Sequence, residues 1–472
     1  MHIRIDEHLP TLGRPMSEGS IGRRLASMAF PLACGLAATM VAQVATMAYM
    51  GTFGVSALAA ASFIFPVITL VINIGVGISA GTSAVVGREV GAGSRWQAAR
   101  SATDAVTLAV AATGVLGLLG TLEIHPLFRL LGASDESMTL ITPYMRLWYA
   151  GAPLFVGSMV GLSALRSVGD AAFQGFMLGL AALLSVVFAR VLMFGLYGIP
   201  QMGFSGAAAA SVLAWIPLFA ATLHRMSRFH LLSLARPSVL ELGASTRRIL
   251  RIAVPAAATN AIVPASAAII TRMAARFGPV AVAGFGVATR VEGVAMIAFL
   301  ALSGVMNPFV AQNAGAGQFA RIQAATRSVL HFCLLWGAML AIVLYGLSPW
   351  LLKQLTNDGQ VARIALQYLW IVPVSYGAAG IVMNINAAFN GLDQPGPAVL
   401  ISGARVIVVN VPVAWLGGAM FGAPGVFIGI SAANLLVAAF GTSWLSSVVR
   451  DRVALVREPR RINVVNGASI NG

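Results

Sequence analysis

The chain is expected to be an all-α membrane protein with twelve transmembrane helices, arranged as two pseudo-symmetric six-helix lobes in a parallel 6+6 repeat. Three observations carry that expectation. Of its 472 residues, 58% are hydrophobic and 10% are charged, and the mean hydropathy is +0.85, whereas a soluble domain carries about a quarter charged residues. Apolar runs of roughly 20 residues, enough to span hydrocarbon, follow one another and leave no room for a soluble domain. Finally, one stretch occurs twice: "PLACGLAATM", "GTFGVSALAAAS" and "GREVGAG" over 31–93 return as "PAAATNAIVP", "ARFGPVAVAGFG" and "AQNAGAG" over 255–317. Pro31 and Pro255, Gly54 and Gly278, and Gly91 and Gly315 are all 224 positions apart (255 − 31, 278 − 54, 315 − 91). Self-similarity at a fixed period is a direct sign of duplicated architecture.

Residues 1–24, with Arg4, Arg14, Arg23 and Arg24, read as a cytoplasmic arm. The apolar run 26–50 is too long for a signal-peptide core and lacks a small-residue cleavage site, so it is helix 1. Helices 2 to 6 are expected over 56–85, 102–122, 139–165, 173–195 and 204–224, completing an N-lobe of 25–224. A basic linker, 225–250, carries Arg225, Arg228, Arg236, Arg247 and Arg248. The C-lobe, 251–449, repeats the plan with helices 7 to 12 over 252–276, 280–310, 328–347, 364–390, 398–418 and 425–449, and a basic tail fills 450–472. With the amino terminus inside, the even-numbered connections hold about twenty arginines, against about five basic residues outside (Arg129, Arg272, Arg276, Lys353, Arg363). Both termini are therefore expected in the cytoplasm, with the protein in the bacterial inner membrane. Six helices per lobe insert both lobes the same way up, so the pseudo-twofold axis runs along the membrane normal and an aqueous cleft separates the lobes. Abundant Gly and Ala let helices approach closely where lipid removes the hydrophobic drive.

Several function classes drop out. The net charge of +15 comes from arginines that punctuate apolar spans, a pattern for orientation in the bilayer and not for nucleic acid. Cys34 and Cys333 form no CxxC pair and say little of redox compartment. The single lysine, Lys353, leaves no Walker A loop, there is no HExxH, and "GVGISAG" lies inside an apolar helix. A lipid-pyrophosphate transferase would need clustered aspartates for magnesium, and the spans contain none. An ion gradient is the remaining energy source, with H+ or Na+ as coupling ion and no cofactor.

At this point "GVGISAGTSAVVGREVGAG", "ALRSVGD", "LSVVFARVLMFG", "GFSGAAAAS", "ATRVEG" and "SGVMNPFVAQNAGAG" resemble the multidrug and toxic compound extrusion (MATE) transporters over nearly the whole chain. The resemblance implies two six-helix lobes and export of organic cations or other amphiphiles in exchange for protons or sodium. A monomer handling small molecules within the lipid bilayer is the expected working form. The departures from the family pattern are specific. Where the family carries an aspartate in helix 1, this chain has Thr46. The family's helix 5 pattern "LNxxLDP" falls on Leu184 to Arg190, so asparagine becomes Ser185, aspartate becomes Ala189 and proline becomes Arg190. The family threonine of helix 6 falls on Ser211. The helix 7 glutamate and helix 10 aspartates of other members are also missing, since no acid occurs between Arg251 and Glu292 or between Asp358 and Asp393.

Thr46, Ser185, Arg190 and Ser211 are thus expected around a first-lobe cavity. Arg190 is either a tethered cation that replaces the lost ion site or attracts an anionic substrate, or an arginine snorkelling to the interface. Arg290 and Glu292 lie about a third of the way into helix 8, where an ionisable group usually faces a cavity or a partner; two residues apart, they point to nearly opposite faces. Glu292 is either the carrier of the coupling proton or half of a structural ion pair. Arg290 resembles a family helix 8 arginine, and Arg405 resembles another on helix 11. Asp170 and Asp393 sit in equivalent turns, as helix N-caps or as gate residues, with Asp170 paired to Arg166. Asn260, Asn384, Asn386, Asn390, Gln312, Asn313 and Asn410 are either interhelical glue or a polar lining. The 19 methionines and the aromatic residues shape a promiscuous pocket or face lipid. Rival readings are a lipid-linked oligosaccharide flippase of the same superfamily, marked by a strongly basic central cavity, and an uncoupled channel.

Overall fold

The computed structural model describes residues 16–233 and 239–467, with side chains omitted at 239–240 and from 456 onward. The arm residues Arg4 and Arg14, Arg236 of the linker, and the side chains of Arg457, Arg460 and Arg461 lie outside that description. The first half runs α1 (Ile21–Gly51), α2 (Val55–Gly91), α3 (Arg95–Leu122), a short α4 (Ile124–Leu130), α5 (Asp135–Ser167), α6 (Ala171–Phe194) and α7 (Gly206–Arg228). The second half runs α8 (Val239–Ala275), α9 (Pro279–Ala295) continued by α10 (Ile297–Gly315), and α11 (Phe319–Leu355). It goes on with α12 (Gly359–Ile371) continued by α13 (Tyr376–Gly391), α14 (Pro395–Gly403) continued by α15 (Val411–Phe421), and α16 (Ala423–Gly467). Together these give 12 candidate membrane spans among the described residues. Large apolar side chains on their outer faces, such as Phe30, Leu335, Ile342 and Leu436, are exposed and form the surface that lipid covers.

The repeat shows in backbone detail. Gly54 and Gly278, one period apart, end the first and seventh crossings with φ of +99° and +95°, a region that side chains with a Cβ rarely enter. Ser134 and Asp358, also 224 positions apart (358 − 134), cap α5 and α12 by accepting the amides of Ser137 (3.3 Å) and Gln360 (2.8 Å), while Asp170 caps α6 by accepting that of Phe173 (3.4 Å). Helices overrun the apolar runs at several ends: α8 begins at Val239, inside the expected linker, and α16 continues to Gly467, inside the expected tail. Apolar length marks only the part of a helix that must sit in hydrocarbon, so polar extensions escape it.

The second half differs in having interrupted crossings where continuous helices were expected. Pro373 lacks an N–H, and the chain tightens there into a 3-10 turn, Val372–Ser375. Ser431 of α16 donates to the carbonyl of Ile371 (3.2 Å), so a backbone group at the interruption finds a partner inside the protein, and Asn434 of the same helix donates to Ser375 Oγ (3.0 Å). In the eleventh crossing Ala404–Asn410 widens into a π-helix just before Pro412, whose ring crowds the preceding carbonyls. The eighth crossing bends at Met296.

Candidate functional site

The halves meet mainly through α2 against α8 and α10, and α1 against α10. They are clamped at the arginine-rich end. A Cβ at Gly77 would stand 2.5 Å from the Ala253 carbonyl, and one at Gly81 would stand 2.6 Å from that of Ile249, so only glycine allows this approach of α2 to α8. Asn307 donates to the carbonyl of Ala80 (3.0 Å) and Gln312 to that of Ser167 (3.3 Å). At the rim, Arg88 pairs with Asp393 (2.9 Å) and Arg248 with Glu89 (2.9 Å), both across the seam. Gln312 also accepts the Met16 amide, and Arg321 reaches the Gly19 carbonyl at 3.1 Å, which ties the segment before α1 to the second half.

Toward the other end the same register carries polar residues past the glycine contacts. The antiparallel register that sets Gly81 beside Ile249 and Gly77 beside Ala253 and Ala257 brings Asn73 opposite Thr259 and Asn260. Gly304 meets Leu32, and Gly293 meets Met40, so the same reasoning places the exposed Arg290 opposite the exposed Gln43 of α1. Beyond these positions Phe65 and Leu70 of α2 and Val263 and Ile269 of α8 are exposed. By this register Gln43, Asn73, Asn260 and Arg290 lie partway along α1, α2, α8 and α9, beyond the close contacts of the seam. Sequence reading missed Gln43 and Asn73; a polar residue one turn beyond a glycine contact was the available signal. Asn260 donates to the Ala256 carbonyl (2.8 Å), leaving its side-chain oxygen to accept.

Inside the first half, Gly35, Thr39, Ala42, Thr46 and Met50 recur at three- and four-residue spacing along the α1 stripe that meets α6 at Gly175. Ser185 shares the buried face of α6 with Ala182 and Ala189, and Ser211 shares that of α7 with Ala207 and Ala214. Thr46, Ser185 and Ser211 are half-buried on inward faces. Ser185 donates to the Ala182 carbonyl (2.8 Å) and Ser211 to that of Ala207 (3.0 Å), so both present oxygen lone pairs only. Arg190 does not join them, contrary to expectation. Five residues on from Ser185, it turns to the exposed face of α6 with Leu183 and Val187. Its guanidinium lies 4.5 Å from the Phe194 ring and 5.7 Å from that of Tyr49, near the end of the crossing.

The second half holds a different cluster. Glu292 follows Phe285 and Ala288 on the inner face of α9, while Arg290 points the other way, as their spacing demands. Tyr368 of α12 donates its hydroxyl to Glu292, and Arg405, on the π-helical segment, is the cation acting on that carboxylate. All three interrupted crossings contribute here: the bend at Met296, the 3-10 turn beside Tyr376, and the π-helix. Tyr376 Oη, Asn384 Oδ1 and Asn410 Oδ1 are buried without a protein partner. Asn384 is turned into this interior, donating to the Gly380 carbonyl (2.9 Å), and does not line the seam.

The expected gate pair is not formed. Asp170 pairs with Arg225 (2.8 Å) instead, and Arg166 bonds Gln174 (2.9 Å) and Ser83 (3.3 Å) within the first half. Four residues apart across a helix end, Arg166 and Asp170 are separated by the turn that makes Asp170 a cap. Asp393 is not a cap; its carboxylate goes to Arg88 across the seam.

A family model described as MatE matches the chain twice, over residues 31–191 and 255–416. The chain belongs to the MatE family of transporters. The two matches begin at Pro31 and Pro255, the same prolines that anchor the internal repeat. Among relatives, it is 35% identical over 418 residues to an FAD transporter of Shewanella oneidensis, covering 88% of this chain and 92% of that one. It is 24% identical to a probable multidrug resistance protein, YoeA, of Bacillus subtilis, covering 86% and 89%. Among solved structures, the Vibrio cholerae MATE transporter VcmN in its bent form superposes with a TM-score of 0.87 at 27% identity, covering 92% of this chain and 98% of that one. This MATE protein is thus a multi-pass transporter of small molecules and not an enzyme.

Proposed function

We propose that this MATE transporter exports a flat, phosphate-bearing anion of the dinucleotide class, with FAD as the first compound to test, in exchange for protons. The arginine-rich end, where the seam is clamped, faces the cytoplasm in this reading, and substrate enters and leaves between the halves. One observation carries the substrate class: Arg290 is exposed on α9, one turn from the Gly293 contact with Met40 of α1, and the acid Glu292 of the same helix is turned away from it. An organic cation, expected from the family resemblance, would meet Arg290 with no counter-charge facing it. A phosphate oxygen would accept charge-assisted bonds from that guanidinium. The amides of Gln43, Asn73 and Asn260 suit the hydrogen-bonding edge of a ring, and Met40 and Met47 offer adaptable apolar contact. The Shewanella oneidensis relative supports the same class.

Glu292 is the proton carrier in this reading. Its carboxylate has a tyrosine donor and a nearby guanidinium, and the guanidinium already supplies the positive charge that a sodium ion would bring. Substrate on one face of α9 and a proton on the other bias the same bent crossing, which is the coupling that antiport requires. The test uses purified protein in liposomes with an imposed pH or sodium gradient and FAD on one side. Expected is FAD movement driven by pH alone, lost in Glu292→Gln; Arg290→Gln should weaken FAD binding by about tenfold, the loss of one charge-assisted contact. Movement of ethidium with none of FAD would overturn the substrate assignment, and movement unaffected by either gradient would overturn coupling.

A further inference from the structure

A second basic site lies at the arginine-rich end, away from the cleft. Arg88 at the end of α2, Arg251 of α8 and Arg452 of α16 line one cavity of about 380 Å³ between the halves, together with Asp393 and an apolar wall that includes Phe319 and Val448. Among the described residues Asp393 is the one carboxylate lining it, against three guanidinium groups. It lies 2.9 Å from Arg88 but 4.0 Å from Arg251. Its backbone sits at φ +64°, a conformation uncommon for a residue with a Cβ, so the turn holds the carboxylate in place at some conformational cost. Arg251 keeps a side-chain exposure of 70%, and Arg452 is exposed as well.

We propose that Arg88, Arg251 and Arg452 form a binding site for a diphosphate or phosphodiester group, and that an occupant displaces Asp393 from Arg88 and releases the clamp between the halves. Arg251 meets Asp393 only at 4.0 Å, Arg452 has no ion pair among the described residues, and arginine forks match phosphate oxygens in pairs. Asp393 acts as the internal stand-in for that anion. Since Arg88 and Asp393 belong to opposite halves, competition for Arg88 is competition for the closed seam. The chemistry admits two sources, a soluble diphosphate or the headgroup of an anionic phospholipid. The inference does not depend on which substrate crosses the membrane.

The full chain in nanodiscs of neutral phosphatidylcholine, titrated with inorganic pyrophosphate, tests the soluble source. Nanodiscs containing phosphatidylglycerol test the lipid source. Spin labels at Gln97→Cys and Ala320→Cys, both exposed at this end on opposite halves, report opening. Expected is binding from one source, weakened about tenfold or more in Arg251→Gln/Arg452→Gln, with a longer label separation on binding. Asp393→Asn should lengthen that separation without any ligand. If pyrophosphate alone binds and opens the seam the ligand is soluble; if phosphatidylglycerol alone does so it is lipid. Equal binding of both probes by wild type and the double variant, or binding with unchanged label separation, overturns the inference. These readouts use neither FAD nor a gradient, so they stand or fall separately from the proposed transport activity.

Discussion

The close approach of α2 to α8 can be tested by adding two methyl groups. In Gly77→Ala/Gly81→Ala the new Cβ atoms would sit 2.5 Å from the Ala253 carbonyl and 2.6 Å from the Ile249 carbonyl, where ordinary contact begins at 3.4 Å. The obstructing atoms are backbone, which cannot swing aside as a side chain can. The helices must therefore part by most of an ångström, and overpacking of this kind costs about 1–3 kcal/mol at a site. The two sites are one turn apart, so a single separation relieves both and the costs do not simply add. A conformation with the arginine-rich end open does not carry this clash, so the population ratio should move toward it by about fivefold to a hundredfold. Spin labels at Gln97→Cys and Ala320→Cys, with exposed Cys34 replaced by alanine and buried Cys333 left in place, read the change as a longer distance distribution. Gly179→Ala is the control, because its Cβ would lie 4.0 Å from the nearest atom, Ala38 Cβ. A folded double variant with the wild-type distance distribution would refute the reasoning that these glycines hold the seam shut.

Other expectations follow from single partners. Gln174→Leu removes the acceptor 2.9 Å from buried Arg166, and an uncompensated buried donor costs about 1–3 kcal/mol, so thermal unfolding in detergent should shift down, while Gln43→Leu at an exposed position should leave it unchanged. Tyr368→Phe deletes the donor to Glu292 without changing the ring contacts to Phe285 and Phe427; fold and substrate binding should persist, and the pH dependence of transport should shift. A Tyr368→Phe protein with a wild-type pH profile would detach Glu292 from coupling. Removing the cap carboxylate with Asp358→Ala should cost about 1 kcal/mol of stability, read by the same unfolding assay.

The sequence by itself determined the crossings, their number and the duplication, because each is written in local terms: apolar length fixes a span, and a repeated string fixes a repeat. Gly54 and Gly278 were legible as anchors for the same reason, since a left-handed turn is a requirement of one residue. The opposed directions of Arg290 and Glu292 also followed from helical pitch alone. What the tertiary structure decided is partnership. Nothing in the string says that Asp393 meets Arg88 from the other half, that Asp170 meets Arg225 instead of Arg166, or that Arg190 turns outward where Ser185 turns in. Those outcomes depend on which helix faces are pressed together and in which register. The interruptions at Val372–Ser375 and Ala404–Asn410 lie between the two cases: Pro373 and Pro412 announce that a hydrogen bond will be missing, but only packing against α16 shows where Ile371 finds its replacement donor. The polar set Gln43, Asn73, Asn260 and Arg290 is the clearest instance, because it comes from four helices whose register is set by glycine contacts, Gly77 and Gly81 of α2 against α8 and Gly293 of α9 against Met40 of α1.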